Sequence, residues 1–232
     1  MLSLNLQPVN REEALRYMGF GTQQPDECFL RRLDSCEKLL LQQVQPRFVY
    51  RAEALNRHAD GSLSAGGLTL SGTAIAEHLK DCTHVIFMAA TLSVQADRLI
   101  AQAQARDMTD ALILEALANA GIEQICNQAE QIIREKFPEK YFTWRFSPGY
   151  GDFPLDIQEP LLTLLDAPRK IGLTATDTSI LIPRKSVTAL IGLADAPLSQ
   201  KRRGCASCNM RERCLYRKKG VHCSHVESAS EA

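Results

Sequence analysis

The sequence predicts an α+β fold. One domain, residues 1–196, holds a mixed, largely antiparallel twisted sheet packed by long helices, and a small basic Cys-rich tail follows over residues 197–232. Three observations carry this reading. Runs with apolar residues at helical spacing alternate with short runs rich in β-branched and aromatic residues. The longest helical pattern, Met108 to Lys136, puts Ala, Leu and Ile on one face and Glu, Gln and Arg on the other. After Asp195 hydrophobicity collapses into PLSQKRRG, a linker composition.

The elements follow in order. Asn10 before REEALRYMG is a helix start with acids in its first turn, and Gly19 and Gly21 stop it. Asp26 to Val44 carries Phe29, Leu33, Cys36, Leu39 and Leu40 at helical spacing. RFVYRAEAL reads as a strand, LTLSG as a short one, and Ser71 is placed to cap GTAIAEHLKDC. His84 to Ala90 is a buried strand and TLSVQADRLIAQAQARD a helix, while Pro138 ends the long helix. Phe142 to Ser147 is a strand and Leu155 to Leu165 a helix. Ser179 to Ile182 and Ser186 to Ala194 are β-rich runs joined at Pro183, Arg184 and Lys185 by a hairpin or a tight corner.

Composition excludes several classes. The net charge of zero hides an asymmetry: Lys201 to Lys219 holds eight Lys/Arg against the single acid Glu212, so the remainder carries −7. No apolar run approaches the roughly 18–20 residues that span a bilayer. MLSLNLQPVNREE lacks the basic region and apolar core of a secretory signal, so a cytoplasmic protein with no membrane partner is expected. Cys28, Cys36, Cys82 and Cys126 lie in apolar helical patterns, where a reduced thiol behaves as a small hydrophobe. His58, His78 and His84 are widely spaced; His78 and Asp81 would share a helix face, which without further ligands is weak ground for a metal.

The stretch RFSPGYGDFPL carries chemistry. The Arg145 guanidinium is a rigid fork suited to a carboxylate or phosphate. Ser147-Pro148 enforces an extended backbone, Gly149 permits positive φ and close ligand approach, and Tyr150 adds a ring and a hydroxyl. On residue types alone two readings stand: a site for an amino-acid-like ligand with a positive centre, or a strand-to-helix corner with Arg145 paired to an acid.

The pattern Arg-x-x-Pro-Gly-Tyr, then a proline and a helix ending in Leu-Leu, resembles the S-adenosylmethionine-binding segment of the activation domain of cobalamin-dependent methionine synthase. IGLTATDTSILIPRKSVTALIG resembles the same family's next block in order and spacing, through Gly172, Thr176, Asp177, Pro183, Ser186 and Val187. The resemblance covers Arg145 to about Gly192. It implies a free-standing activation subunit, accessory to a cobalamin-dependent methyltransferase or corrinoid protein, that holds S-adenosylmethionine over the partner's cobalamin. One electron, from a donor such as a flavodoxin or ferredoxin, then lets the methyl group move to cobalt. It further implies Arg145 on the methionyl carboxylate, the Ser147, Pro148 and Gly149 backbone along the ligand, Tyr150 in contact with it, and Thr176, Asp177 and Ser186 in the same site, with no nucleophile or general base. Thr188, Ala189 and Leu190 depart from the family's Ser-Gly-Trp, and Arg184 and Lys185 replace small residues, so the face toward the cobalamin module is expected to differ.

The tail spaces Cys205, Cys208, Cys214 and Cys223 as Cys-x2-Cys-x5-Cys-x8-Cys. Four thiolates so close suit a [4Fe-4S] cluster or tetrahedral zinc; the Cys-x2-Cys-x5-Cys core favours the cluster, and His222 and His225 keep zinc open. A second functional class is a metal-containing electron-transfer or nucleic-acid adaptor, with Tyr216 for stacking. The short basic patch and acidic remainder argue against nucleic acid.

Overall fold

The computed structural model describes residues 2–20 and 23–198. In chain order the elements are β1 (Leu2–Ser3), α1 (Arg11–Tyr17), α2 (Glu27–Gln43), β2 (Arg47–Ala54), β3 (Asn56–Arg57), β4 (Leu63–Ala65), β5 (Leu68–Leu70), α3 (Thr73–His78), β6 (His84–Thr91), α4 (Val94–Gln104), α5 (Met108–Lys136), β7 (Tyr141–Phe142), α6 (Gln158–Leu165), α7 (Ala167–Ile171), β8 (Thr174–Ala175), β9 (Leu181–Ile182) and β10 (Ser186–Ala194). The α+β expectation holds, and every pairing among the described strands is antiparallel.

The main sheet runs β1-β2-β6-β10-β7, so HVIFMAAT is its centre. Its near-continuous hydrophobicity follows from burial on both faces. Ile86, Met88 and Ala90 point into one core with Leu33 and Leu40 of α2 and Ile113, Leu117 and Ile125 of α5. Val85, Phe87 and Ala89 point into the other, with Ile75 of α3, Leu161 and Leu165 of α6, and Ile171 of α7. A period of two thus feeds two helical layers.

The helix starts obey their local sequence. Asn10 Oδ1 accepts from the Glu13 amide at 3.1 Å, and Asp26 Oδ1 from that of Phe29 at 2.8 Å. Asp107 Oδ1 accepts from the Thr109 amide at 2.7 Å, which opens the 29-residue α5. Buried Glu37 ties down the N-terminal segment, accepting from the Val9 amide at 2.8 Å and from Arg11 Nε at 3.0 Å. No described helix is long and apolar enough to cross a membrane.

Four local expectations change, and one open alternative is decided. Ser71 does not cap α3; the cap residue is Gly72, whose missing side chain is replaced by Asp152 from a distant loop. Asp81 lies beyond the end of α3, so it does not share a helix face with His78. The strand expected over Phe142 to Ser147 pairs only at Tyr141 and Phe142, then again at Phe146 through an isolated bridge to Leu190. The helix expected from Leu155 begins at Gln158. Of hairpin and corner, Pro183 to Lys185 takes the corner, after a cis Ile182–Pro183 bond, because β9 pairs with β8 instead.

Candidate functional site

Residues 144–146 alternate across the sheet edge. Trp144 and Phe146 pack into the core below α3 and α6, whereas Arg145 turns toward α5. There Nη1 of Arg145 donates to Asn127 Oδ1 and Glu130 Oε2, both at 2.9 Å, and Nη2 donates to Glu123 Oε2 at 3.1 Å. The arginine is therefore paired with acids, as the corner reading expects. A guanidinium has five donors, however. Among the described residues, these bonds leave the Nε–H and one Nη2–H for a further acceptor. Glu130 is itself shared with Arg134, whose Nη2 lies 2.7 Å from its Oε1.

Glu123, Asn127 and Glu130 belong to a polar stripe on α5 that also includes Glu115 and Asn119. At its far end stands Lys185, only 8% exposed, its Nζ bonded to Glu115 Oε1 and, at 2.7 Å, to Asn119 Oδ1. Lys185 therefore points inward, and the Arg184 amide is anchored on Asp97 Oδ2 at 2.8 Å. The stripe borders the edge of β10. Leu190 exchanges both backbone bonds with Phe146 at 2.8 Å, while β7 pairs with β10 only at Leu193 and Ala194. Two residues before Leu190, the Thr188 N–H and C=O face that same edge by the period-two alternation. No described strand pairs with it there. α5, the β10 edge and the loop after Arg145 thus adjoin in a closed seam, in which Thr188 is only 2% exposed.

That loop is tightly built. The Gly149 amide donates to Phe153 O at 2.8 Å, and the Tyr150 amide to Ser147 O at 3.1 Å. Gly149 has φ +88°, a conformation that a side chain strains, and a Cβ there would come within 3.1 Å of Leu155 Cδ2. The Tyr150 ring lies 5.7 Å from Phe146 and 6.4 Å from Trp144, on the side of the strand away from Arg145. Ser186, four residues up β10 from Leu190, stands roughly 13 Å along the strand from the Phe146 bridge. Its hydroxyl donates to Pro183 O at 2.7 Å and accepts from the Thr91 hydroxyl at 2.8 Å. Thr176 closes the β8–β9 turn, its Oγ1 accepting from the Ile180 amide at 3.0 Å, and Asp177 is exposed in that turn. The structure thus brings Arg145 together with Ser147, Pro148 and Gly149. Tyr150 is on the opposite face, and the hydrogen bonds of Thr176 stay inside its own turn.

Sequence reasoning missed the α5 stripe. Its trace was a polar residue at every fourth position from Glu115 to Asn127, which amphipathicity accounts for equally well. It also missed the packing of His78 beneath the loop's strand, 4.5 Å from Trp144 and 4.7 Å from Phe146, ring to ring. Burial pushes the His78 imidazole down to about 4, opposed by its bond to the Trp144 backbone. Unfolded, the ring takes a proton near pH 6.5, so below that pH the unfolded chain binds more protons than the folded one. Stability is full above pH 6.5 and is expected to fall by on the order of 3 kcal/mol as the pH drops to 4. Denaturant midpoints measured across that range, with His78→Leu flattening the slope, check this.

Cys205, Cys208, Cys214 and Cys223 lie outside the described residues. Within them Cys28, Cys36, Cys82 and Cys126 are free thiols, and no group of three or more His, Cys, Asp or Glu side chains is arranged to hold a metal. No family model and no curated protein sequence matches the chain. Among solved structures, the chain is similar to the MetH reactivation domain crystallised with AdoHcy, at a TM-score of 0.64 and 15% identity, covering 96% of this chain and 86% of that one. At that identity the likeness is one of fold.

Proposed function

We propose that the chain binds S-adenosylmethionine in the seam between α5 and the β10 edge and presents it for reductive methylation of cob(II)alamin in a partner cobalamin-dependent methyltransferase. The observation that carries this reading is Arg145, held at three donors by Glu123, Asn127 and Glu130 and keeping two more for a ligand carboxylate. The fold likeness to a reactivation domain crystallised with AdoHcy supports it. The residues present suit such a ligand. Arg145 takes the carboxylate, Glu123 at the exposed side of the seam is a counter-charge for the ammonium, and the backbone of Ser147 and Gly149 runs beside it.

Bound S-adenosylmethionine supplies an electrophilic methyl group; the electron and the accepting cobalt come from a donor and from the partner. The chain's own contribution is to bind, orient and exclude water, which needs no proton-transferring side chain. Thr176, Asp177 and Ser186 enter this proposal as supports of the hairpin and corner that wall the β10 end of the seam. Calorimetric titration of the full chain tests the reading: S-adenosylmethionine binds with one-to-one stoichiometry, and no heat at any concentration overturns it.

By their spacing, Cys205, Cys208, Cys214 and Cys223 would hold a [4Fe-4S] cluster, which would supply a relay for the donor's electron. Anaerobically purified protein is then brown, with iron and sulfide in equal amounts. A colourless sample holding one zinc per chain assigns the thiolates to zinc instead.

A further inference from the structure

The loop after Arg145 is fastened to α3 through Asp152. Asp152 Oδ2 accepts from the Thr73 amide and the Thr73 hydroxyl, each at 2.7 Å, and Oδ1 accepts from the Ala74 amide at 2.8 Å. These bonds hold the carboxyl down at about 2, the Ala74 amide contributing most. The backbones meet too closely for side chains. A Cβ on Gly72 would come within 2.9 Å of Asp152 O, and one on Gly151 within 2.6 Å of Ala74 Cβ. At its other end α3 places His78 against Trp144 and Phe146, the residues flanking Arg145. Loop and strand are thus held at both ends by one six-residue helix, and Asp152 holds the loop end through three hydrogen bonds.

We propose that Asp152 is a positioning residue for ligand binding: by capping α3 from the loop, it fixes the Ser147–Tyr150 backbone against the edge of β10. This rests on the reading of that loop as part of an S-adenosylmethionine site. Asp152 is exposed and touches no part of the seam itself, so its effect on the ligand passes through the loop. Loop and α3 lie more than 70 residues apart in sequence, so without the carboxylate only packing brings them together.

The test uses the full chain and its single tryptophan, Trp144, which reports on the same cluster. S-adenosylmethionine is titrated into the parent, Asp152→Ala, Asp152→Asn and Ile86→Val, following heat and Trp144 emission. Asp152→Ala is expected to weaken binding by about tenfold, and Asp152→Asn, which keeps one acceptor, by a smaller factor. Asp152→Ala also shifts the Trp144 emission of the folded, ligand-free protein. Ile86→Val, in the core on the far side of the sheet from Trp144, lowers the melting temperature while leaving the Trp144 emission unchanged. If the parent binds and Asp152→Ala binds equally well, the positioning role falls and the site stands. A parent that does not bind at all removes both.

Discussion

Arg145→Ala is expected to weaken S-adenosylmethionine binding by roughly 100-fold, equivalent to about 2.7 kcal/mol, since two charge-assisted bonds to a carboxylate disappear together. Arg145→Lys recovers little of this, because a point ammonium cannot satisfy Glu123, Asn127 and Glu130 and still offer a paired edge to the ligand. The fold survives the change. Glu130 keeps Arg134 as its partner, and Glu123 reaches solvent with its side chain 45% exposed. Titration of both variants, with melting curves as a control, reads the result. Undiminished affinity in Arg145→Ala would falsify the assignment of the carboxylate site.

Gly192→Val has the largest expected effect on stability, about 3 kcal/mol, seen as a lower denaturant midpoint at unchanged slope. Gly192 lies in β10 where strand, α3 and the Arg145 segment converge. A Cβ there would stand 2.8 Å from Leu79 Cδ2 and 3.1 Å from Thr143 Cγ2, with Cys82 Sγ closer still. The Gly192 amide also donates to Thr143 Oγ1 at 2.8 Å, and its carbonyl accepts from the Thr143 amide at 3.0 Å. Pushing that segment off β10 moves the strand that carries Arg145, so the same variant is expected to bind ligand more weakly. A midpoint equal to the parent's would show that the contact relaxes without cost.

Much of the site was legible one residue at a time and illegible as an arrangement. Arg145, Pro148 and Gly149 announce themselves because guanidinium geometry, a fixed φ and a permitted positive φ are properties of single residues. The Tyr150 ring packs on Phe146 and Trp144, a placement no single residue type announces. Side-chain direction after two turns of a glycine loop depends on accumulated dihedral angles, which residue types do not specify. The direction of Lys185 is equally a matter of tertiary structure: Glu115 and Asn119, some 70 residues earlier, draw it inside.

By itself, the sequence determined α1, α2, α4, α5 and the central strands. Those follow from local periodicity and caps, and α2 and α5 begin where Asp26 and Asp107 place them. It also specified that β6 is buried on both sides, since a continuous apolar run has no other stable place. The tertiary structure decided what distant residues do to one another: that Asp152 rather than Ser71 caps α3, that β9 pairs with β8, and that a polar stripe of α5 meets Arg145. Local structure is set by each residue's own backbone and side-chain preferences. A site of this kind depends instead on contacts closed across long loops, where many partners of equal chemistry compete and only packing selects one.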